Sequence, residues 1–300
     1  MMTTFGLRMI DLFLQREKYK VYKVPSDITN NGVLYSVEDR LNCGGNAVVH
    51  KCVNQVTGDE YAIKFLLYDS HKNKTRFERE CSTLSDCPHA HIISFKGSGE
   101  VTATHKKKGQ REYNKNLRFL IMEFSDNGDL MKCIKGADKI KPEIYHSQFR
   151  GLAGALSLMH QNGIIHRDIK PQNILNVGNR WVISDFGLTA IVNRAQPELT
   201  KDNENIGPRF WMSPEAMNRS IGIKGKAAKI DKKSDVFQLA SFFWFVATKR
   251  HPSGIPIEKD WPGKKEVYNV LVKALQQNPN NRYLDATAFQ NDLIEAIEAA

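Results

Sequence analysis

Cysteine is scarce in this chain. Five are spread through 300 residues, at Cys43, Cys52, Cys81, Cys87 and Cys133, and no two form a C-x-x-C pair. The odd number and the spacing argue against a disulfide framework or a zinc site, and fit reduced thiols in a cytoplasmic setting. No cationic leader precedes the first apolar residues, and no small-residue cleavage site follows them. The longest apolar run, VFQLASFFWFVAT from Val236 to Thr248, is too short to cross a bilayer and contains a glutamine. It predicts a buried helix and no membrane association. Internal repeats are absent. No helix-turn-helix or RNA-reading motif accompanies the basic residues, which argues against nucleic acid as a partner.

What is present is ordinary for a globular chain. Apolar residues make up 41%, enough for a sizeable core. The length suits two domains or one large one. A formal net charge of +10 suits acidic partners or nucleotides and says nothing of fold. Residues 1–32 are mixed and basic, end in the turn-like SDITNNG, and read as an extension before the main fold. VLYSVEDRL, AVVHKCVN and EYAIKFLLY then read as strands, broken by the turn signals CGGN and QVTGD. TRFERECSTLSDC has a helical period through Phe77, Cys81 and Leu84. HIISFKGSGE and LRFLIMEF read as two more strands. Beyond about residue 130 the patterns are mostly helical. The fold class is therefore α+β, with a strand-rich part over 33–124, a helical part over 125–297, and a joint near MEFSDNGDL.

Two charges sit where apolar residues are expected. Glu80 lies on or beside the apolar stripe of its helix, and Lys64 lies inside the strand YAIKFLL. A carboxylate facing a core is costly unless paired. Glu80 either snorkels to water or pairs with Lys64, and a lysine held by a carboxylate can present its ammonium to phosphate oxygens. LNCGGNAVVHKC, between two strands, is a glycine hairpin of the kind that lets backbone N–H groups approach phosphates. IIHRDIKPQNIL, from Ile164 to Leu175, encloses polar residues between apolar anchors, after a helix for which Gly163 is a candidate cap. ISDFGL follows, with another acid, Asp185, in an apolar frame. Asp168, Asn173 and Asp185 supply a base and hard oxygen ligands suited to Mg²⁺ and phosphoryl chemistry.

Taken in order, NCGGNAVV, YAIK, HRDIKPQN, SDFG and WMSPE resemble the signature set of the protein kinase superfamily, of the eukaryotic-like Ser/Thr type, in a stand-alone bacterial or phage form. The resemblance covers residues 33–297 and implies a bilobal fold. It implies ATP and Mg²⁺ as cofactors, protein substrates, γ-phosphate transfer to Ser/Thr hydroxyls and autophosphorylation. By the same resemblance Asn42, Gly44 and Gly45 cover the phosphates, and Val49 and Ala62 enclose adenine. Lys64 contacts the α- and β-phosphates, held by Glu80. Met122 gates the back pocket, and Glu123 and Ser125 offer backbone groups to adenine. Asp129 reaches the ribose, and Leu175 lies in the ATP site. Asp168 accepts the substrate proton, Lys170 steadies the γ-phosphate, and Asn173 and Asp185 hold magnesium. Leu84, Phe95, His166 and Phe186 match a stacked column. Asp235 braces the catalytic loop, and Arg282 pairs with Glu215. Arg167 receives a phosphate from the activation loop at Thr200, for which Glu204 is a partial substitute.

The chain departs from the pattern at four places, the mildest being Ser213 before Pro214 and Glu215, where alanine is usual. Asn42 and Ala47 stand where the first and third loop glycines are usual, and both are small or tolerant enough for weakened nucleotide binding. Pro208 stands where Ser/Thr kinases carry a threonine, and Pro208 with Trp211 resembles the tyrosine kinase form, while Lys170 is the Ser/Thr form. Tyrosine or dual specificity therefore stays open, as does a weakly active pseudokinase serving as a nucleotide-responsive binding module. The basic segments HKKKGQREYNKN and NRSIGIKGKAAKIDKKS read either as solvated faces or as docking surfaces for an acidic partner.

Overall fold

The architecture comes from a computed structural model that describes residues 8–14, 21–105, 111–136, 140–192 and 210–299. The chain forms two compact units. The first comprises Met1–Ser85 and Ser94–Phe124, the second Asp86–Ile93 and Ser125–Ala300.

The first unit is a curled antiparallel sheet with one helix. Its strands are β1 (Met9–Leu12), β2 (Tyr22–Pro25), β3 (Asp27–Asn30), β4 (Val33–Cys43), β5 (Ala47–Asn54) and β6 (Glu60–Leu66), then β7 (Phe95–His105) and β8 (Tyr113–Glu123) after helix α1 (His71–Asp86). All eight belong to one sheet in the order β1-β2-β7-β8-β6-β5-β4-β3. β2 runs directly into β3 through Ser26, which donates its N–H to the Arg8 carbonyl and accepts the N–H of Val37. One bent segment thus carries the chain from β2, second in the sheet order, to β3 at its far end. Its interior is filled by alternating side chains such as Leu12, Tyr22, Val24, Val48, Cys52, Phe65 and Phe119. Residues 1–32, expected as an extension outside the fold, therefore contribute three strands. Their short, weakly alternating runs carry little signal alone, and it is pairing with β7 and β4 that makes them strands. Phe77 of α1 packs with Leu66 and Leu120, with Cys81, Phe95 and Met122 beside them.

The strand expected from His91 begins only at Phe95. The preceding residues turn the other way: Ile93 donates its N–H to the Ile183 carbonyl at 2.9 Å, within the second unit.

The second unit is mainly helical. It contains α2 (Leu130–Gly136), α3 (Pro142–Gln161), the short strands β9 (Ile164–Ile165), β10 (Ile174–Val177), β11 (Arg180–Ile183) and β12 (Ala190–Ile191), then α4 (Pro214–Ser220), α5 (Lys232–Thr248), α6 (Lys265–Ala274) and α7 (Ala286–Glu298). The apolar run of Val236 to Thr248 is the buried helix α5. It is capped by Asp231 and Ser234 in a reciprocal capping box. Its Phe243 stacks on Phe149 of α3 at 3.8 Å between centroids and lies against Phe289 of α7. α3 ends at Asn162, after which Gly163 takes φ of +71°, the left-handed position a glycine occupies without steric cost. Among the described residues, no helix is long and apolar enough to cross a membrane.

Candidate active site

In the first unit the two misplaced charges meet. Lys64 Nζ donates to both Glu80 oxygens, at 2.7 and 2.8 Å. Glu80 is 3% exposed, so its place on the α1 stripe is a consequence of this pair. Alignment of β5, β6 and β8 sets the neighbours: Val49 pairs with Lys64 and Asn42, and Ala62 pairs with Met122. The Glu123 N–H at the end of β8 is taken by the Ser94 carbonyl at 2.9 Å, and the Glu123 carboxylate accepts the N–H of Ser94. Asn42 was expected to supply tolerance of positive φ. It lies instead in extended β4, and its side-chain oxygen accepts the Cys43 N–H at 2.7 Å. Gly44 donates its N–H to the Ala47 carbonyl, and Gly45 has open space where a Cβ would stand.

In the second unit, strand β9 delivers the chain into the HRDIKPQN loop, and buried Asp235 at the start of α5 fixes its course. Asp235 accepts the N–H of His166 at 2.7 Å, the N–H of Arg167 at 2.8 Å, and His160 Nε2 at 3.1 Å. His160 Nδ1 accepts the Ala286 N–H, so the Nε2 carries the proton that Asp235 receives. This clamp holds Arg167 at φ of +70°, a conformation costly for a residue with a Cβ. His166 accepts the Asp168 N–H on Nδ1 and directs Nε2 at the Ser184 carbonyl, and burial pushes its pKa down, keeping it neutral.

The result is a carboxylate with two unlike oxygens. Asp168 Oδ2 accepts Lys170 Nζ at 2.7 Å and Asn173 Nδ2 at 2.8 Å. Asp168 Oδ1 is buried and, among the described residues, has no hydrogen-bond partner. Burial raises the Asp168 pKa against the lowering pull of Lys170, and Asp185 adds to the rise. Asn173 uses its side-chain nitrogen for both bonds to Asp168, so neither engages its side-chain oxygen. Its carbonyl receives the Ser184 N–H and hydroxyl, tying the strand that ends at Asp185 to the loop. Asp185 is exposed at φ of +61°. Hard oxygens from Asn173 and Asp185 fit a small divalent cation that keeps several waters.

Other expected residues sit nearby in the second unit. The Ser125 hydroxyl contacts the Gly128 and Asn176 carbonyls. Asp129 caps α2 through the Lys132 N–H and bridges to Leu175. Glu215 and Arg282 form a buried two-bond pair, both at 2.9 Å, and Ser234 donates to the same carboxylate. Burial alone would raise the Glu215 pKa, but Arg282 and Ser234 outweigh it and hold it below the usual carboxylate value. Leu84 and Phe95 lie in the first unit. His166 and Phe186 meet edge to face in the second. Thr200, Glu204 and Pro208 lie outside the described residues.

Gln238 was read only as a polar interruption of an apolar run. Its Oε1 accepts the Ile169 N–H at 3.2 Å, and its Nε2 donates to the carbonyls of Trp211 and Arg167. A lone amide three residues after Asp235, one helical turn along the same face, was the available signal.

The chain matches the protein kinase domain family over residues 35–295 and belongs to that family. It is 24% identical to a probable serine/threonine-protein kinase of Clostridium acetobutylicum, over 86% of this chain and 39% of that protein. It is 26% identical to the serine/threonine-protein kinase PknB of Mycolicibacterium smegmatis, over 88% of this chain and 43% of that one. The serine/threonine-protein kinase PrkC of Bacillus subtilis is also 26% identical, over 88% and 41%. The chain thus spans about two fifths of the length of these relatives.

Proposed function

We propose that this chain is an ATP- and Mg²⁺-dependent protein kinase that transfers the γ-phosphate of ATP to Ser/Thr hydroxyls on proteins, itself included. The observation that carries this reading is the divided Asp168 carboxylate. Lys170 and Asn173 engage one oxygen, and the other is buried with no partner among the described residues. An acceptor hydroxyl donating to Oδ1 would be oriented for attack. As its oxygen bonds to the γ-phosphorus, the bond to the β–γ bridging oxygen breaks, ADP leaves, and the proton passes to Asp168. Lys170 carries a positive charge beside the same carboxylate, suited to the γ-phosphate. Lys64, steadied by Glu80, suits the α- and β-phosphates. Magnesium held by Asn173 and Asp185 would neutralise phosphate charge. Lys170 and the similarity to serine/threonine-protein kinases favour Ser/Thr over tyrosine. Exposed Lys224 and Lys229, after α4, offer cations to an acidic stretch of a protein substrate.

The test is incubation of the purified chain with radiolabelled ATP, Mg²⁺, casein and myelin basic protein, followed by phosphosite mapping. Label on serine and threonine is the expected result. Label on tyrosine revises the specificity, and bound nucleotide without any label supports a binding module instead.

A further inference from the structure

β4 carries the leading arm of the glycine hairpin, and its ladder is imperfect there. Its pairing with β5 shifts register on both sides of Arg40, between Val37 and Arg40 and again between Arg40 and Asn42. On its outer edge, β3 pairs with β4 only from Val33 to Ser36 and does not reach Arg40 or Cys43. Phe13 does. Its ring lies 4.6 Å from the Arg40 guanidinium carbon, and its carbonyl, at 3.9 Å, shares the Cys43 thiol with the Gly44 carbonyl at 3.7 Å. Phe13 is itself well anchored. Leu12 and Leu14 on either side are 0% and 6% exposed in the sheet interior, so the alternation of extended chain sends the Phe13 side chain the opposite way.

We infer that Phe13 is a positioning residue that braces the glycine hairpin through Arg40 and Cys43, and that it thereby tunes nucleotide affinity. The inference rests on the nucleotide reading given above. Its physical basis is preorganisation. A hairpin that lacks its first and third glycines cannot adapt as freely to a phosphate, so its affinity depends on starting in the right place. A cation held over an aromatic face restrains the arm two residues before Asn42, without blocking the hairpin backbone.

The brace should be read in binding and not in the chemical step. Isothermal titration of magnesium ADP into the full chain compares wild type with Phe13→Ala, Phe13→Tyr, Arg40→Ala and the double alanine variant, each with its melting temperature. Phe13→Ala should weaken binding about two- to fivefold, the scale of an exposed cation–π contact. Its kcat at saturating ATP should stay within about twofold of wild type. Phe13→Tyr keeps the aromatic face and should bind as wild type does. Because Phe13 and Arg40 act as one contact, the double variant should bind no more weakly than either single one. Wild-type affinity in Phe13→Ala, or fully additive losses in the double variant, overturns the brace while leaving the kinase reading intact. A wild-type chain that binds no magnesium ADP overturns both.

Discussion

At the scale of single residues, the consequence of the site is an asymmetric carboxylate. Asp168→Asn keeps the shape and still accepts from Lys170, but its side chain cannot take up the hydroxyl proton. Phosphoryl transfer should fall by about 10²–10⁴-fold, while magnesium ADP binds nearly as before. Transfer within about threefold of wild type at saturating ATP would show that Asp168 is not the base. Asp168 stood out in the sequence only together with Asn173, Asp185 and the rest of the motif set, since a lone Asp-x4-Asn reads as a solvated loop. That its two oxygens differ was not legible there, because the difference arises from where Lys170 and Asn173 point after the loop is bent at Arg167.

At the scale of elements, α5 organises the second unit's site from within. Asp235 holds the backbone entering the HRDIKPQN loop, and Gln238 joins that loop to the Trp211 carbonyl. Gln238→Leu would remove the partner of the Ile169 N–H and of the Trp211 carbonyl. Each unsatisfied buried group costs about 1–3 kcal/mol, so the melting temperature should drop and kcat should fall more than nucleotide affinity does. An unchanged kcat in a folded variant would mean that the amide does not position the loop. In the hairpin of the first unit, Ala47→Gly removes a methyl from the start of β5, where the resemblance to the kinase glycine loop would place a glycine. The KM for ATP should fall, while stability drops by about 0.5–1 kcal/mol from the added chain freedom. A rise in KM would place Ala47 outside the phosphate loop.

At the scale of the whole molecule, pH acts through buried groups. Glu215 has its pKa lowered in the folded state, so its stabilisation is complete above the unfolded value near about 4.3 and is lost as pH falls through the folded value. His166, also lowered, loses stability in the same direction, starting from about 6.5. Asp168, raised by burial, works the opposite way and offsets part of them. Glu215→Gln strips the charge from the buried pair and strands Arg282, at a cost of about 3–5 kcal/mol at neutral pH. The gap in melting temperature between wild type and Glu215→Gln should narrow as pH drops below about 4. A gap that stays constant through that range would mean that the Glu215 charge is not the stabilising partner of Arg282.

The sequence by itself determined the motif set, since its residue types and spacing are set by chemistry: a base, hard oxygens, and a lysine with its carboxylate. It also determined α5, because only burial explains so long an apolar run. Tertiary structure alone decided the rest. Met9–Leu12 and Tyr22–Pro25 have too few apolar positions to declare themselves, and they become strands because β7 offers an edge and the sheet interior accepts Leu12 and Tyr22. His91 to Ser94 read as strand by composition, yet Ile93 is drawn to Ile183. Gln238 gained its role because the helix that carries it packs beneath a loop whose amides need a partner. A pattern of side chains records which face is buried, but the choice of partner depends on what the fold brings to that face.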